Sequence, residues 1–245
     1  MRIETPEPLG DAVGDELASV VSKADTAARH GDVTAAAALL DDALARVTAA
    51  GGSDVSVWVS QSTADHDTVA RRVGLTQGRE IFQMRRPLPA DDPPAGFVTR
   101  PFTVGEDEAT WLAVNNRAFA GHEDQAAWDR HRLDQRMAKP WFDPNGFLLH
   151  ERDGRLAGFC WTKIHGTSDP PLGEIHVIAV DPDFTGLGLG RALTLAGLSW
   201  LHHQGLGTGM LYVDAANAPA LALYRGLGFI VDHVDRRYYR SGEVP

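Results

Sequence analysis

A strand, a glycine-rich loop and a helix follow one another without a gap in residues 173–202, and no other stretch of the chain limits the fold so tightly. The apolar positions from Gly173 to Val180 predict a strand that ends at Asp181-Pro182. Gly186-Leu-Gly-Leu-Gly190 then forms a loop, and helical periodicity continues from there to His202. We therefore predict a strand-loop-helix unit with its helix N-terminus at the loop.

This unit predicts an anion site. Glycines let the backbone approach a ligand closely, and the free N–H groups at a helix N-terminus attract phosphate. Two other interpretations are a tight turn without a ligand and a dinucleotide-binding loop, which Gly186-Leu-Gly-Leu-Gly190 partly mimics. A dinucleotide fold would place the loop after the first strand of a parallel sheet, whereas here several strands precede it.

The chain before this unit divides at a proline-rich segment. Residues 89–96 contain three prolines, at positions 89, 93 and 94, which cannot sustain a helix or a strand. We predict an N-terminal domain at 1–88, a linker at 89–96 and a second domain at 97–245. In the first domain the patterns predict two amphipathic helices within the first fifty residues, a strand at Val55–Val59, a helix at His66–Val73 and a strand at Glu80–Met84.

The second domain is predicted to be α/β, with an α+β mixed sheet and the element order βααβββαβαββ. Its predicted strands are 97–102, 147–150, 156–164, 173–180, 210–213, 229–234 and 238–239, and its helices are 107–119, 125–137, 190–202 and 218–225. Asp153-Gly154 predicts a tight hairpin between two of these strands. An internal repeat at an offset of 154 positions aligns Val57-Trp-Val59 with Leu211-Tyr-Val213, and Val73-Gly-Leu75 with Leu227-Gly-Phe229. We interpret this match as a partial duplication.

Composition excludes several classes of function. The chain has 33 acidic and 23 basic residues, a formal net charge of −10 and no basic run, so nucleic acid is not an expected partner. With no signal-like start and no run of about 18 apolar residues, we expect a cytoplasmic protein without a membrane partner. Cys160 is the only cysteine, which excludes an internal disulfide, and no histidine set has metal-ligand spacing.

The turn Val180-Asp-Pro182, the glycine loop and the helix resemble the acetyl-CoA pyrophosphate site of the GNAT acetyltransferase superfamily. Five further blocks resemble those of the mycothiol synthase family within it: Met84-Arg-Arg-Pro-Leu88, Val114-Asn-Asn-Arg-Ala-Phe-Ala-Gly-His122, Trp141-Phe-Asp-Pro144, Phe159-Cys-Trp-Thr-Lys-Ile-His165 and Gly173-Glu-Ile-His-Val177. The resemblance runs from about residue 82 to 239, and more weakly back to 55. It implies a GNAT fold and transfer of acetyl from acetyl-CoA to the cysteinyl amine of cysteinyl-glucosaminyl-inositol, the last step of mycothiol formation in actinobacteria.

The resemblance also implies roles for individual residues. Glu174 would be the general base, directly or through water, although a strand glutamate otherwise forms a salt bridge, here with Lys163. Tyr224 would protonate the departing CoA thiolate, although a helical tyrosine is otherwise a core residue. The acetyl-CoA contacts implied are Ile178, Ala179, Val180, Thr185, Gly186, Leu187, Gly188, Leu189, Gly190, Arg191, Asn217, Ala218, Pro219, Ala220, Leu221 and Ala222. Acceptor contacts would come from Asp124, Lys163, Glu174 and Tyr212. We expect no metal, and we expect the protein to be a monomer.

Some positions depart from the pattern. Thr185-Gly186-Leu187 stands where basic residues usually precede the first glycine, and Arg191 would compensate in part. The first half has only about 95 residues, and Arg29-His-Gly-Asp-Val33 supplies no phosphate cradle there. The offset of 154 positions aligns Tyr224 with Ala70, which cannot donate a proton. We therefore interpret this half as a truncated, degenerate GNAT-like half-domain without a second catalytic site. Two other functions stay open: acetylation of another small-molecule amine, and acyl-CoA binding without turnover.

Overall fold

The computed structural model describes residues 1–5, 11–52, 55–121 and 127–240, the side chains of 11–13 excepted. Two compact units are present. The first contains Met1–Gln83, Val213–Ala218 and Val231–Pro245, and the second contains Met84–Tyr212 and Pro219–Ile230. Because the units are interleaved along the chain, they differ from the contiguous ranges 1–88 and 97–245, which remain a prediction about domains.

The described residues form nine strands and seven helices. In chain order they are β1 (Arg2–Glu4), α1 (Asp11–Arg29), α2 (Val33–Ala49), β2 (Ser56–Val59), α3 (Ala64–Arg72), β3 (Leu75–Pro87), β4 (Arg100–Pro101), α4 (Glu108–Ala118), α5 (Arg130–Met137), β5 (Phe147–Arg152), β6 (Arg155–His165), β7 (Leu172–Val180), α6 (Leu189–His203), β8 (Thr208–Asp214), α7 (Ala218–Gly226) and β9 (Ile230–Arg240). The predicted mixed α/β fold class is confirmed.

In the described part of the first unit, three helices and four strands surround an apolar core. The strand order is β1-β2-β9-β3, and β2 pairs antiparallel with both β1 and β9. The apolar core residues occupy alternate positions from Val55 to Val59 and recur at helical spacing in α1 and α2, as their sequence patterns predict. The core includes Val21, Leu40, Val47, Val57 and Val69. Asp32 is the N-cap of α2, and its side chain accepts a hydrogen bond from the N–H of Ala35 at 3.0 Å.

The segments related by the offset of 154 have the same local structure. Each consists of a strand, a short helix and a strand, namely β2-α3-β3 and β8-α7-β9. Both helices are followed by a left-handed glycine, Gly74 with φ +75° and Gly228 with φ +82°. The N–H of Gly74 donates to the carbonyl of Arg71, and the N–H of Gly228 donates to that of Arg225. This local match supports the duplication, which remains a prediction.

The second unit is a sheet covered by helices on both faces. Strands β5, β6 and β7 form an antiparallel meander, and the hairpin of the first two turns at Asp153 and Gly154, both with positive φ as the Asp-Gly pair predicts. Helix α6 lies on one face, where Gly197 comes close to Cys160. On the other face, the ring of Trp111 in α4 contacts Phe159 and Trp161 of β6, along with other aromatic rings.

Strands β7 and β8 separate after three paired residues. They are parallel from Gly173 to Ile175, which pair with Gly209 to Leu211, and no later pair joins them in the described chain although β7 continues to Val180. The ladder between β6 and β7 also shifts between Trp161 and Thr162, where the pairing passes over His176. This bulge and the separation leave one side of residues 176–180 without a partner strand in the described part of the protein.

The structure corrects three predicted elements. The last two strands, 229–234 and 238–239, are one strand, β9, because the polar residues between them pair through their side chains; Arg236 binds Asp67 and Glu80. Helix α5 begins at Arg130 rather than Gln125, since the side chain of Asp129 caps it, and residues 122–126 lie outside the described residues. The strand predicted at 97–102 contains only Arg100–Pro101, and β1 was not predicted.

Candidate active site

Glu174 lies in β7 and is only 5% exposed. Its carboxylate is held from three sides. The Nε2 atom of His165 lies 2.6 Å from Oε2, the Nδ1 atom of His176 lies 3.0 Å from Oε1, and the Nζ atom of Lys163 lies 3.6 Å from Oε2. Because Lys163 and Glu174 are direct cross-strand partners in the β6–β7 ladder, the strand register itself brings the two charges together.

The surroundings keep the Glu174 carboxylate ionised. Burial alone would raise its pKa, but the hydrogen bonds from His165 and His176, together with electrostatic attraction to His176 and Lys163, outweigh burial and hold the pKa far below its usual range. The salt bridge between Glu174 and Lys163 is therefore present. The same carboxylate is ionised, as a general base must be, so the two interpretations of Glu174 are compatible. The role as general base remains a prediction.

The rings of Trp141 and Trp161 pack against the side chains that hold this carboxylate. The Nζ atom of Lys163 lies 5.2 Å from the ring centroid of Trp141, a cation–π distance. The ring of His176 meets Trp141 edge-on at 5.1 Å and Trp161 at 5.7 Å. These contacts fix the direction of the imidazole and of the lysine.

Sequence reasoning missed His165 and His176 as functional residues. Each is a single histidine in an apolar strand, and neither has metal-ligand spacing. The available signal was alternation, because His165 follows Lys163 by two residues in β6 and His176 follows Glu174 by two in β7. Positions two apart on a strand share a face unless a bulge intervenes, so both histidines were candidates for the face that carries Glu174.

Tyr224 is buried in α7, with 7% of its surface exposed. Its ring packs against Phe229 at 5.8 Å. Burial raises the pKa of Tyr224 to about 12, so the hydroxyl keeps its proton at neutral pH. The side chain meets the requirement for a proton donor, and this role also remains a prediction.

The glycine loop exposes backbone donors at the start of α6. Gly186 and Gly188 have φ of +78° and +75°, and nothing lies within 4 Å of the place where a Cβ would stand on either. Gly188 is the N-cap of α6 and supplies no side-chain hydrogen bond, and the first helical bond runs from the N–H of Ala192 to the carbonyl of Gly188. The N–H groups of the first turn are therefore available to an anion.

Ion pairs fix the chain just before the loop. The carboxylate of the buried Asp181 accepts the N–H of Asp183 at 3.0 Å and lies 3.3 Å from the guanidinium of Arg117. Arg117 and Arg155 lie 2.9 Å and 2.6 Å from the carboxylate of Asp183. This network anchors the end of β7 and leaves the glycines free to face a ligand.

The structure describes the positions predicted for the acetyl end and, apart from Asp124, those predicted for the acceptor. Ile178, Ala179 and Val180 are half-buried at the part of β7 beyond its pairing with β8. Tyr212 is 45% exposed and lies two residues after Met210, the partner of Glu174 in β8. Asp124 lies outside the described residues.

The remaining positions predicted to contact acetyl-CoA are those of the glycine loop and those at the start of α7, and they belong to different units. Thr185, Leu187 and Arg191 are exposed around the loop, and the guanidinium of Arg191 lies 3.4 Å from the carbonyl of Gly226. Leu189 is buried and Gly190 half-buried in the first turn of α6. Pro219–Ala222 belong to the second unit, whereas Asn217 and Ala218 belong to the first, where the N–H of Asn217 donates to the carbonyl of Asp214.

Comparison with known proteins gives a consistent family. Residues 108–229 match the sequence model of the acetyltransferase (GNAT) family. The chain is 47% identical over 204 residues to the mycothiol acetyltransferase of Thermobispora bispora, covering 80% of this chain and 69% of that protein. It is 43% identical over 244 residues to the mycothiol acetyltransferase of Streptomyces avermitilis, covering 97% of this chain and 74% of that protein.

A solved structure agrees on the fold. The GCN5-related N-acetyltransferase from Sphaerobacter thermophilus matches with a TM-score of 0.67 at 22% identity, covering 84% of this chain and 69% of that chain. The chain spans 61–74% of the length of eight curated relatives that it matches. In the described residues no helix is long and apolar enough to cross a membrane, and no group of three or more side chains suits a metal ion.

Proposed function

The chain belongs to the GNAT family of acetyltransferases, and we propose that it transfers the acetyl group of acetyl-CoA to the cysteinyl amine of cysteinyl-glucosaminyl-inositol. The name shared by its curated relatives, mycothiol acetyltransferase, supports this acceptor. The observation that carries the proposal is the buried, ionised Glu174, held by Lys163 and two histidines beside the point where β7 and β8 separate.

The residues at the glycine loop fit the pyrophosphate of acetyl-CoA. Gly186 and Gly188 leave open space over the backbone, and the first turn of α6 offers its N–H groups without a side-chain cap. We assign the pyrophosphate to residues 185–191 and the acetyl end to Ile178–Val180, with Asn217–Ala222 along the CoA arm. When bound, acetyl-CoA supplies the activated acetyl group.

The acceptor would meet polar groups on the sheet face that carries Glu174. Lys163 and Glu174 offer a cation and an anion 3.6 Å apart, and the neighbouring strand adds Tyr212, a residue that is 45% exposed. A sugar and an inositol need several such groups, since each buried hydroxyl left unpaired costs about 1–3 kcal/mol. Asp124 is assigned to the same acceptor on resemblance alone.

Two groups would move protons. Glu174 draws the proton from the attacking amine, directly or through a group that it orients, because only an uncharged amine nitrogen has the lone pair for attack. Tyr224 protonates the CoA sulfur as it leaves, and its raised pKa keeps that proton available. No covalent acyl-enzyme is involved, since the sole cysteine, Cys160, is buried and burial raises the pKa of its thiol.

The experiment is a turnover assay with acetyl-CoA and cysteinyl-glucosaminyl-inositol. The acceptor carries its own thiol, so the acetylated product is identified by mass as well as by CoA release. Formation of the N-acetylated product supports the proposal. Turnover only with other amines would assign another acceptor, and acetyl-CoA binding without turnover with any amine would indicate a sensor.

A further inference from the structure

His176 occupies a special position in the sheet. The pairing of β6 with β7 skips His176, because Trp161 pairs with Val177 and the next residue, Thr162, pairs with Ile175. His176 is also the first residue of β7 beyond the pairs with β8. Its side chain is only 16% exposed, with Nδ1 bonded to Glu174 and its ring against Trp141 and Trp161. The imidazole is thus fixed where one side of β7 becomes free for a ligand.

The contact with Glu174 decides which nitrogen of His176 carries the proton. An ionised carboxylate accepts hydrogen bonds and donates none, so Nδ1 of His176 must be the donor to Oε1. In the neutral ring the other nitrogen, Nε2, then has a free lone pair, and no bond to it is found among the described residues. A carboxylate that orients an imidazole and stabilises its charged form is an established way to build a base.

The carboxylate alone is poorly matched to the task. The hydrogen bonds from both histidines and the electrostatic attraction to His176 and Lys163 that keep Glu174 ionised also lower its tendency to accept a proton. An imidazole suits proton transfer near neutral pH far better. Among the described residues, the titratable group in contact with His176 is Glu174 in its own strand, and Lys163 and His165 of β6 contact that same carboxylate. The rings of Trp141 and Trp161 pack against the imidazole.

We propose that His176 is the group that takes the proton from the attacking amine, with Glu174 as its positioning residue. The step rests on the proposed acetyl transfer. The amine nitrogen forms a bond to the acetyl carbon, the carbon–sulfur bond breaks, the amine proton moves to Nε2 of His176, and the sulfur receives the proton of Tyr224. Exchange with water then returns a proton from His176 to Tyr224, so the protein is unchanged after each turnover.

His165 bonds to the same carboxylate but serves a different role. It is the last residue of β6 and pairs with Leu172, the first residue of β7, so it lies on the far side of Glu174 from residues 176–180. Its bond to Oε2, at 2.6 Å, is shorter than that of His176. We assign His165 to holding the carboxylate in place.

Two matched substitutions separate these roles. His176→Asn keeps a donor near the position of Nδ1, and His165→Gln keeps a donor near the position of Nε2, so each retains the hydrogen bond to Glu174 and removes the rest of the ring. His202→Asn in α6, on an exposed residue, is the control. The pH profile of kcat/KM is measured for each with an amine that the unsubstituted protein acetylates, and turnover of His176→Ala is measured with added imidazole.

We expect His176→Asn to lose about 10²-fold or more in kcat/KM, the usual range for a general base, and to lose the acidic limb of the profile. His165→Gln should stay within about threefold, and imidazole should restore turnover to His176→Ala. An acidic limb that persists in His176→Asn, or one that disappears in His165→Gln instead, would overturn the proposal while acetyl transfer itself stands.

Nitrogen-15 NMR tests the premise without any turnover. We expect the ring of His176, identified by the signals that His176→Asn removes, to carry its proton on Nδ1 and to lose that arrangement in Glu174→Gln. A proton on Nε2 in the resting protein would overturn the proposal even if the acceptor assignment failed. A failed acceptor assignment, by contrast, appears as the absence of product with cysteinyl-glucosaminyl-inositol and leaves the NMR result intact.

Discussion

Lys163 and Glu174 face one another as direct cross-strand partners in β6 and β7, with Nζ 3.6 Å from Oε2. Both side chains are largely removed from water, and Glu174 is almost fully buried. A buried carboxylate is costly unless several donors satisfy it, and here His165 and His176 complete the set. The cost is consistent with a chemical role, because replacing a buried ion pair with well-packed apolar residues is often neutral or stabilising in proteins.

Glu174→Gln is the first prediction. The amide keeps the shape of the side chain but removes the negative charge that orients and stabilises the proton acceptor, so we expect kcat/KM to fall by about 10²-fold or more. Steady-state kinetics measures the effect. Glu106→Gln, an exposed site with the same change in charge, is the control and should keep its activity. Full activity in Glu174→Gln would exclude any catalytic part for this carboxylate.

Tyr224→Phe should separate chemistry from packing. The ring still fills its place against Phe229, so we expect an unchanged melting temperature, while the loss of the proton donor lowers kcat by about 10²-fold. Because the pKa of Tyr224 is raised to about 12, its deprotonation should not reduce the activity of the unsubstituted protein below about pH 10. Tyr239→Phe, in the first unit, is the matched control. A variant as active as its parent would remove Tyr224 from the mechanism.

Gly188→Ala tests the anion site at the start of α6. Alanine at a φ of +75° costs about 1–2 kcal/mol and places a methyl group over the loop backbone, so we expect weaker acetyl-CoA binding in a titration and a higher KM for acetyl-CoA. Gly154→Ala is matched to it, since Gly154 has a φ of +72° in the β5–β6 turn. It should lose similar stability and keep its acetyl-CoA affinity. Equal losses of affinity in the two variants would argue against a specific site in the loop.

The sequence predicted much of the fold because periodicity is local. The two N-terminal helices, the meander of β5 to β7 and the strand-loop-helix at the glycines all follow from spacing that each segment carries itself. The polar run Asp235-Arg236-Arg237 predicts a break between two strands, whereas β9 continues through it because Arg236 binds Asp67 and Glu80, which are distant in the chain. A local pattern contains no information about such distant partners.

The same limit explains what was missed at the candidate site. The contact of Glu174 with Lys163 could be suggested from the sequence, but its contacts with His165 and His176 depend on the register of β6 against β7 and on the shift between Trp161 and Thr162. A single-residue bulge changes which side chains share a face, and no residue in these strands marks it in advance. The roles of Glu174 and Tyr224 came from family resemblance rather than from periodicity.

The pair Arg100 and Asp107 predicts a pH dependence of stability. The guanidinium binds both carboxylate oxygens, at 2.7 Å and 2.8 Å, and with the N–H of Thr103 holds the pKa of Asp107 below its usual value. Because the pKa is lower in the folded state, this stabilisation is present above about pH 4 and is lost as the pH falls through the folded pKa. We therefore expect the difference in unfolding free energy between the unsubstituted protein and Asp107→Asn to shrink as the pH falls from about 5 to about 3. Urea unfolding at each pH measures this difference in free energy. A difference that stays constant with pH would show that protonation of Asp107 is not coupled to folding.

Gly197→Ala should destabilise the second unit, because α6 packs directly on the sheet at this residue. A Cβ there would stand 2.5 Å from Sγ of Cys160 and 2.7 Å from Cδ1 of Ile175, and a close-packed core has no space to absorb it. We expect a loss of about 1–3 kcal/mol in the free energy of unfolding, measured with denaturant. Gly226→Ala, at the end of α7 with no atom within 4 Å of the new methyl group, should change it by less than about 1 kcal/mol. Cys160→Ala removes the sulfur that the methyl group meets, so the double variant should recover part of the loss, and a strictly additive double variant would show that the helix and strand do not meet at these two residues.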